Sequence, residues 1–214
     1  MTQQSDPLGI THVDLADWRL LLGALRARYE TESFSTAAAF VAGIAQLAEQ
    51  TTHNPDIDLR TRHVQLVLSS PEAGGVTERD VELAERISVL ASDHDLTPQP
   101  THVQVLEMAL DTPASDSIRP FWATILAGAD TGNDVVDPAT ELPPLWFQTT
   151  DSNAPDRQRF HLDITVPPED ADRRITAALA AGGRVVDDTH RPAFVVLADA
   201  DGNNACICTE LGRE

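Results

Sequence analysis

The chain has 214 residues, enough for one large domain or two small ones, and 42% of them are hydrophobic, which furnishes an ordinary core. Its 34 Asp and Glu outnumber 15 basic residues, all of them Arg, for a net charge of -19. A charge of that sign repels phosphate backbones and anionic headgroups, whose capture needs clustered cations, so nucleic acid and membrane surfaces are excluded as partners.

In chain order, Trp18 to Phe34 reads as a strand pair broken at Gly23. Ser35 or Thr36 is expected to cap a helix running to about Gln50, because Phe40, Ile44, Leu47 and Ala48 recur on one face and Asn54-Pro55 stops the run. Ile57 to Leu68 reads as one strand whose alternation changes phase, with a bulge expected near Arg62. Gly74-Gly75 turns the chain, and Thr77 opens a second helix with Leu83, Ala84, Ile87, Leu90 and Ala91 as its buried stripe. Thr97-Pro98-Gln99-Pro100-Thr101 is Pro-bracketed and reads as a linker, so domains are expected at residues 1–97 and 101–214 with 98–100 between them.

Beyond it the sequence repeats weakly. Leu106-Glu107-Met108-Ala109-Leu110 parallels Leu162-Asp163-Ile164-Thr165-Val166. The helical run Phe121–Gly128 parallels Ile175–Gly182. Asp134-Val135-Val136-Asp137 parallels Arg184-Val185-Val186-Asp187, and Leu145-Trp146-Phe147 parallels Ala193-Phe194-Val195. Two βαβββ units in series follow from that pattern, so both halves are expected to be α+β. Cys206 and Cys208 lie two apart in the last strand and point the same way, poorly placed to bond each other. With no basic-then-apolar leader and no apolar run of the ~18 residues a span needs, the expected compartment is the cytoplasm.

Three stretches carry chemistry in the first half: Ala48-Glu49-Gln50-Thr51-Thr52-His53-Asn54-Pro55, Val64-Gln65-Leu66-Val67-Leu68, and Gly74-Gly75-Val76-Thr77-Glu78-Arg79-Asp80. Together they resemble the signature of the pterin-4a-carbinolamine dehydratase family. The resemblance implies a hydro-lyase acting on a 4a-hydroxytetrahydropterin without a cofactor, as a homo-oligomer, on an antiparallel sheet with helices on one face. Such a reaction needs an acid for the departing hydroxyl and a base for the N5 proton. By position the resemblance assigns catalysis to His53, Asp80 and Glu49, and substrate binding to Asn54 and Pro55. His53 suits the acid because imidazole titrates near neutrality and a helix C-terminus favours its cation. Asp80 is equally suited to close a capping box with Thr77, and Glu49 to be a solvated helix charge. Pro71 departs from the pattern: it stands at the family's third His and cannot titrate. The alternative reading is therefore a non-catalytic pterin or small-molecule binding or assembly protein.

In the second half, Phe160-His161-Leu162-Asp163 opens the second repeat. Leu197-Ala198-Asp199-Ala200-Asp201-Gly202-Asn203 and Cys206-Ile207-Cys208-Thr209-Glu210 close it. These resemble glyoxalase-like (vicinal oxygen chelate) domains. Metal-bearing members take one His or Glu from the opening and closing strands of each repeat. Here the second repeat offers His161 and Glu210, while the first offers Val105 and Gln148, or Gln104 if the alignment slips by one. A set with an aliphatic member and an amide holds an ion poorly, so the expectation is no metal. Trp146, Phe147 and Phe194 either line a cup for an unidentified small ligand or belong to the core.

Overall fold

The computed structural model describes residues 15–125, 128–139, 142–151, 160–180, 182–198 and 204–213; the Asp199–Asn203 part of the closing motif lies outside them. The chain divides into two compact units between Val103 and Gln104.

In the first unit, β1 (Trp18–Leu21) and β2 (Ala24–Glu30) form the expected hairpin, with Leu22 and Gly23 at positive φ in the turn. Helix α1 (Phe34–Thr51) starts one turn earlier than expected. Ser33 is its cap, and its Oγ accepts from the Thr36 N–H at 3.1 Å. Thr52, left-handed at φ 51°, ends it just before Asn54-Pro55. The stretch expected as one bulged strand is two: β3 (Asp56–Leu59) and β4 (His63–Leu68) pair antiparallel, so the change of phase near Arg62 is a reversal of direction. Helix α2 (Glu78–Asp93) carries the capping box at Thr77 and Asp80. The stretch expected to be a linker belongs to the sheet. β5 (Thr97–Pro98) pairs with the end of β2, and the Gln99 N–H donates to Arg28 O at 2.7 Å. Proline fits there because an edge position asks nothing of the missing N–H.

The sheet order is β1-β2-β4-β3, with β5 on the β1 side of β2. Alternation puts Leu25, Ala27 and Tyr29 of β2 and Val64, Leu66 and Leu68 of β4 on one face. Against it pack Phe40 and Ile44 of α1 and Leu83 and Ile87 of α2. Each such side chain, taken from water, contributes about 1.5–3 kcal/mol. The two helices approach closely at Gly43, where a Cβ would stand 2.8 Å from Leu90 Cδ2. The two large polar-tipped aromatics of the core are paired: Trp18 Nε1 donates to Ser88 Oγ at 3.1 Å, and Tyr29 OH to Asp17 Oδ2 at 3.0 Å.

The second unit has the repeat read from the sequence. β6 (Val105–Thr112), α3 (Ser115–Ile125), β7 (Ala129–Asp130), β8 (Asp134–Val136) and β9 (Leu145–Thr149) form one βαβββ unit. β10 (Phe160–Thr165), α4 (Pro168–Ala180), β11 (Arg184–Asp187), β12 (Phe194–Ala198) and β13 (Asn204–Cys208) form the other. The sheet runs β11-β12-β13-β10-β6-β9-β8-β7, which reads the same from both ends when each strand is replaced by its repeat partner. That palindrome is the expected approximate two-fold, and its axis passes between β10 and β6. No helix among the described residues is long and apolar enough to cross a membrane.

Candidate active site

Two local features bring His53 and Asp80 together. His53 directly follows the left-handed Thr52 that ends α1, so the chain leaving the helix turns its imidazole back toward the start of α2. Asp80 is the third residue of α2, where a carboxylate closes the capping box. His53 Nε2 lies 2.7 Å from Asp80 Oδ1, with 9% of the imidazole and none of the carboxylate exposed.

The other carboxylate oxygen is fully engaged. Asp80 Oδ2 accepts from the Thr77 N–H, Thr77 Oγ1 and Ser70 Oγ, each at 2.8 Å. Burial alone would raise this carboxyl; the bonds from Thr77, His53 and Ser70 outweigh it and hold Asp80 below the usual carboxylate range. Both roles foreseen for Asp80, cap and partner of the imidazole, are thus filled by one side chain. An ionised Asp80 can only accept, so His53 Nε2 carries the proton of that bond and Nδ1 is the nitrogen left to exchange one.

Asn54 is exposed beside His53 and Pro55 is half-buried. Glu49 is exposed on α1, four residues before His53 and outside the buried network. Pro71 opens a 3-10 turn (Pro71–Ala73) that is solvent-facing, and Gly74 at φ 80° closes it. Nothing titratable replaces a side chain there; Glu72 next to it faces Arg79 at 3.6 Å.

The second unit contains a cavity of about 820 Å³ on the concave face of its sheet. Trp146 and Phe194 line it, whereas Phe147, on the other face, packs with Leu110, Val135 and Leu145. His161 and Gln148 are also in its wall. Val105 occupies the start of β6 with no donor atom, and Gln104 Oε1 accepts from Arg174 Nη1 at 2.9 Å. Glu210 is buried beyond the end of β13. What the sequence reading missed is the company His161 keeps. Its Nε2 is 3.4 Å from Asp163 Oδ1, its Nδ1 is 3.6 Å from Asp111 Oδ1, and Cys206 Sγ completes a group with Nε2 and Asp163 Oδ1. The spacing of His161 and Asp163, two apart on one strand, was the available signal. Deeper in the wall, burial pushes Glu107 above its usual range against the pull of Arg213, 3.3 Å away.

Comparison with known proteins assigns both units. The sequence profile for pterin 4 alpha carbinolamine dehydratase matches residues 5–90, and that for a glyoxalase-like domain matches residues 107–208. A Thermomicrobium roseum protein provisionally named pterin-4-alpha-carbinolamine dehydratase is 43% identical over 79 residues, 37% of this chain and 85% of that protein. The crystal structure of a transcriptional coactivator/pterin dehydratase from Brucella melitensis is 29% identical, covering 36% of this chain and 84% of that one, with a TM-score of 0.35. A pterin dehydratase-like protein described as a RuBisCO assembly factor in the alpha-carboxysome is 27% identical, covering 35% and 86%, with a TM-score of 0.30. Through its first unit the chain belongs to the pterin-4a-carbinolamine dehydratase family, and its second unit is a glyoxalase-like domain.

Proposed function

We propose that the first unit binds a 4a-hydroxytetrahydropterin and dehydrates it slowly, with His53 as the acid. The observation that carries this reading is the buried 2.7 Å contact between His53 and Asp80. It fixes the imidazole and sets its tautomer, as an orienting carboxylate does for other catalytic histidines.

In the reaction, the C4a–O bond breaks with its electron pair on oxygen, and a proton from His53 Nδ1 turns the departing hydroxide into water. The N5 lone pair forms the C=N bond, and the N5 proton leaves to Glu49, an exposed carboxylate four residues before His53, or to solvent. Asn54 and Pro55 border the imidazole and are the proposed contacts to the pterin ring. With Pro71 in place of a third titratable group, the second proton transfer has no buried partner. The loss of one general acid–base group is worth about 10²–10⁴-fold, so turnover is expected to be low while binding persists.

The test is formation of quinonoid dihydropterin from a 4a-carbinolamine, alongside calorimetric binding of a reduced pterin. His53→Ala should lower turnover a further 10²–10⁴-fold and leave binding within a few-fold. Absence of pterin binding, or activity indifferent to His53→Ala, would favour the second reading, a non-catalytic binding or assembly protein. The specific feature on that side is the exposed, untitratable Pro71.

A further inference from the structure

We propose that the concave face of the glyoxalase-like unit holds a borderline-soft divalent cation, zinc being the type, on His161, Asp163 and Cys206 of the second repeat. This is a different donor set from the one-per-strand arrangement that the family resemblance implies, and it takes no ligand from the first repeat. It stands independently of the dehydratase reading, because all its residues lie in the second unit.

The placement follows from the strand register. His161 and Asp163 alternate onto the same face of β10, and β13 runs parallel beside it with Cys206 opposite Asp163. The three donor atoms lie within 4.8 Å of one another, and all three residues line the 820 Å³ cavity. The His161 Nε2 to Asp163 Oδ1 separation is 3.4 Å. Two ligands held about 2.1 Å from a tetrahedral ion stand about 3.4 Å apart, so this spacing is the edge of such a site.

The carboxylate itself points to a missing partner. The Asp163 side chain is 8% exposed, and its Oδ1 has no hydrogen bond among the described residues. Its other oxygen does, accepting from Trp146 Nε1 at 3.2 Å, which turns Oδ1 toward His161. A buried carboxylate oxygen that makes no hydrogen bond and meets its nearest cationic group, His161 Nε2, only at 3.4 Å costs about 1–3 kcal/mol or more, so a fold that aims one at an imidazole and a thiol implies a ligand there.

The outer residues fit as well. Asp111, whose side chain is 37% exposed but whose Oδ1 is turned inward without a hydrogen bond among the described residues, stands with that oxygen 3.6 Å from His161 Nδ1. That is the place of the carboxylate that orients a metal-bound histidine in carboxylate–histidine–metal sites. Thiolate, imidazole and carboxylate together select a borderline-soft ion over magnesium or calcium. Three protein donors leave a fourth position open to the cavity, the pattern of a site that takes a water or a ligand.

The test uses the full chain, stripped with chelator and reconstituted with zinc or cobalt(II). Elemental analysis should find about one ion per chain, and zinc should raise the unfolding temperature of the second unit. Cobalt should show a thiolate charge-transfer band in the near ultraviolet and the intense visible absorption of a tetrahedral site. Cys206→Ser should abolish that band and weaken binding more than about 100-fold, beyond what an outer partner costs. Cys208→Ser should keep the band. Asp111→Asn should keep it too while weakening binding about 10–100-fold. If Cys206→Ser does not fold, His161→Gln serves for the affinity measurement. Substoichiometric uptake of both ions, or a cobalt spectrum unchanged by Cys206→Ser, would overturn the proposal.

Discussion

Replacing Asp80 by Asn tests whether one carboxylate holds both the helix start and the imidazole. The wild-type side chain accepts four hydrogen bonds, from His53 Nε2, Thr77 N–H, Thr77 Oγ1 and Ser70 Oγ. An amide offers one oxygen for three clustered donors. Each bond it keeps changes from charge-assisted, at about 1.5–3 kcal/mol, to neutral, at about 0.5–1.5. Losing about 1 kcal/mol on each of four bonds, less what local rearrangement recovers, gives about 3 kcal/mol at neutral pH. For a unit of this size that is about 12–24 °C in unfolding temperature. The difference should depend on pH in a fixed direction. Asp80 is held below its ordinary value in the folded protein, so its contribution is complete above about pH 4 and is lost as pH falls through the folded value. Over that acid window the wild type should lose up to about 1.4 kcal/mol per pH unit from this group, and Asp80→Asn should not. The gap between the two proteins therefore narrows in acid. Hydrogen exchange read by mass spectrometry in urea separates residues 15–103 from 104–213 and supplies the two stabilities. Equal stability at pH 7, or a gap as wide at pH 3 as at pH 7, would refute the account.

Two other substitutions probe the same unit. Pro71→His should raise dehydratase turnover, measured as quinonoid product, by up to about 10²–10⁴-fold if a third titratable group is what the site lacks, at a cost of no more than about 1 kcal/mol from the freed φ. Leu66→Ala, in a fully buried position of β4, should destabilise the first unit by about 2–5 kcal/mol in urea titration and leave cobalt binding by the second unit unchanged.

Most of the architecture was legible because it rests on periodicity. The internal repeat was weak at any one segment, yet it gave two βαβββ units, since element type is set by pattern. The opening strands and helices were matched in step. Asp134–Asp137 at β8, however, was set against Arg184–Asp187 of β11, and Leu145–Phe147 of β9 against Ala193–Val195 at β12, each one strand out, because the two-residue β7 leaves no pattern to read. The errors fell where local signals compete. Arg60-Thr61-Arg62 lacks the Gly, Asn or Pro that marks a hairpin, so its reversal passed for a bulge; the flip of alternation between Leu59 and Val64 was the only trace of it. Pro98 argued for a linker because proline removes a donor, but an edge strand needs no donor on its outer side. In the first unit the family resemblance pointed to His53 and Asp80, and the cap role of Asp80 was legible because a capping box is a local feature. Asp163 could have been read from its place two after His161 on one strand, but Asp111 and Cys206 were missed because only the pairing of β6, β10 and β13 gathers them, and no spacing along the chain encodes which strands are neighbours.

The weight of the dehydratase reading rests on His53 more than on its partner. Asp80 would be retained by any sequence that needs α2 to start at Thr77, because three of its four hydrogen bonds serve the cap and the turn before it. His53 has no such structural employment. The end of α1 is satisfied without it: Thr52 supplies the left-handed residue, and Thr51 Oγ1 donates to the carbonyls of Leu47 and Ala48, 3.2 Å from each. Removing the imidazole would leave Asp80 with three donors and a carboxylate still well paired. A nearly buried histidine at that point therefore adds little that the fold requires, yet it places an imidazole with a fixed tautomer at the protein surface, which is what proton transfer requires. His53→Ala should accordingly separate the two demands, with a large loss in turnover and a change in stability of no more than about 1.5–3 kcal/mol, the worth of one charge-assisted hydrogen bond.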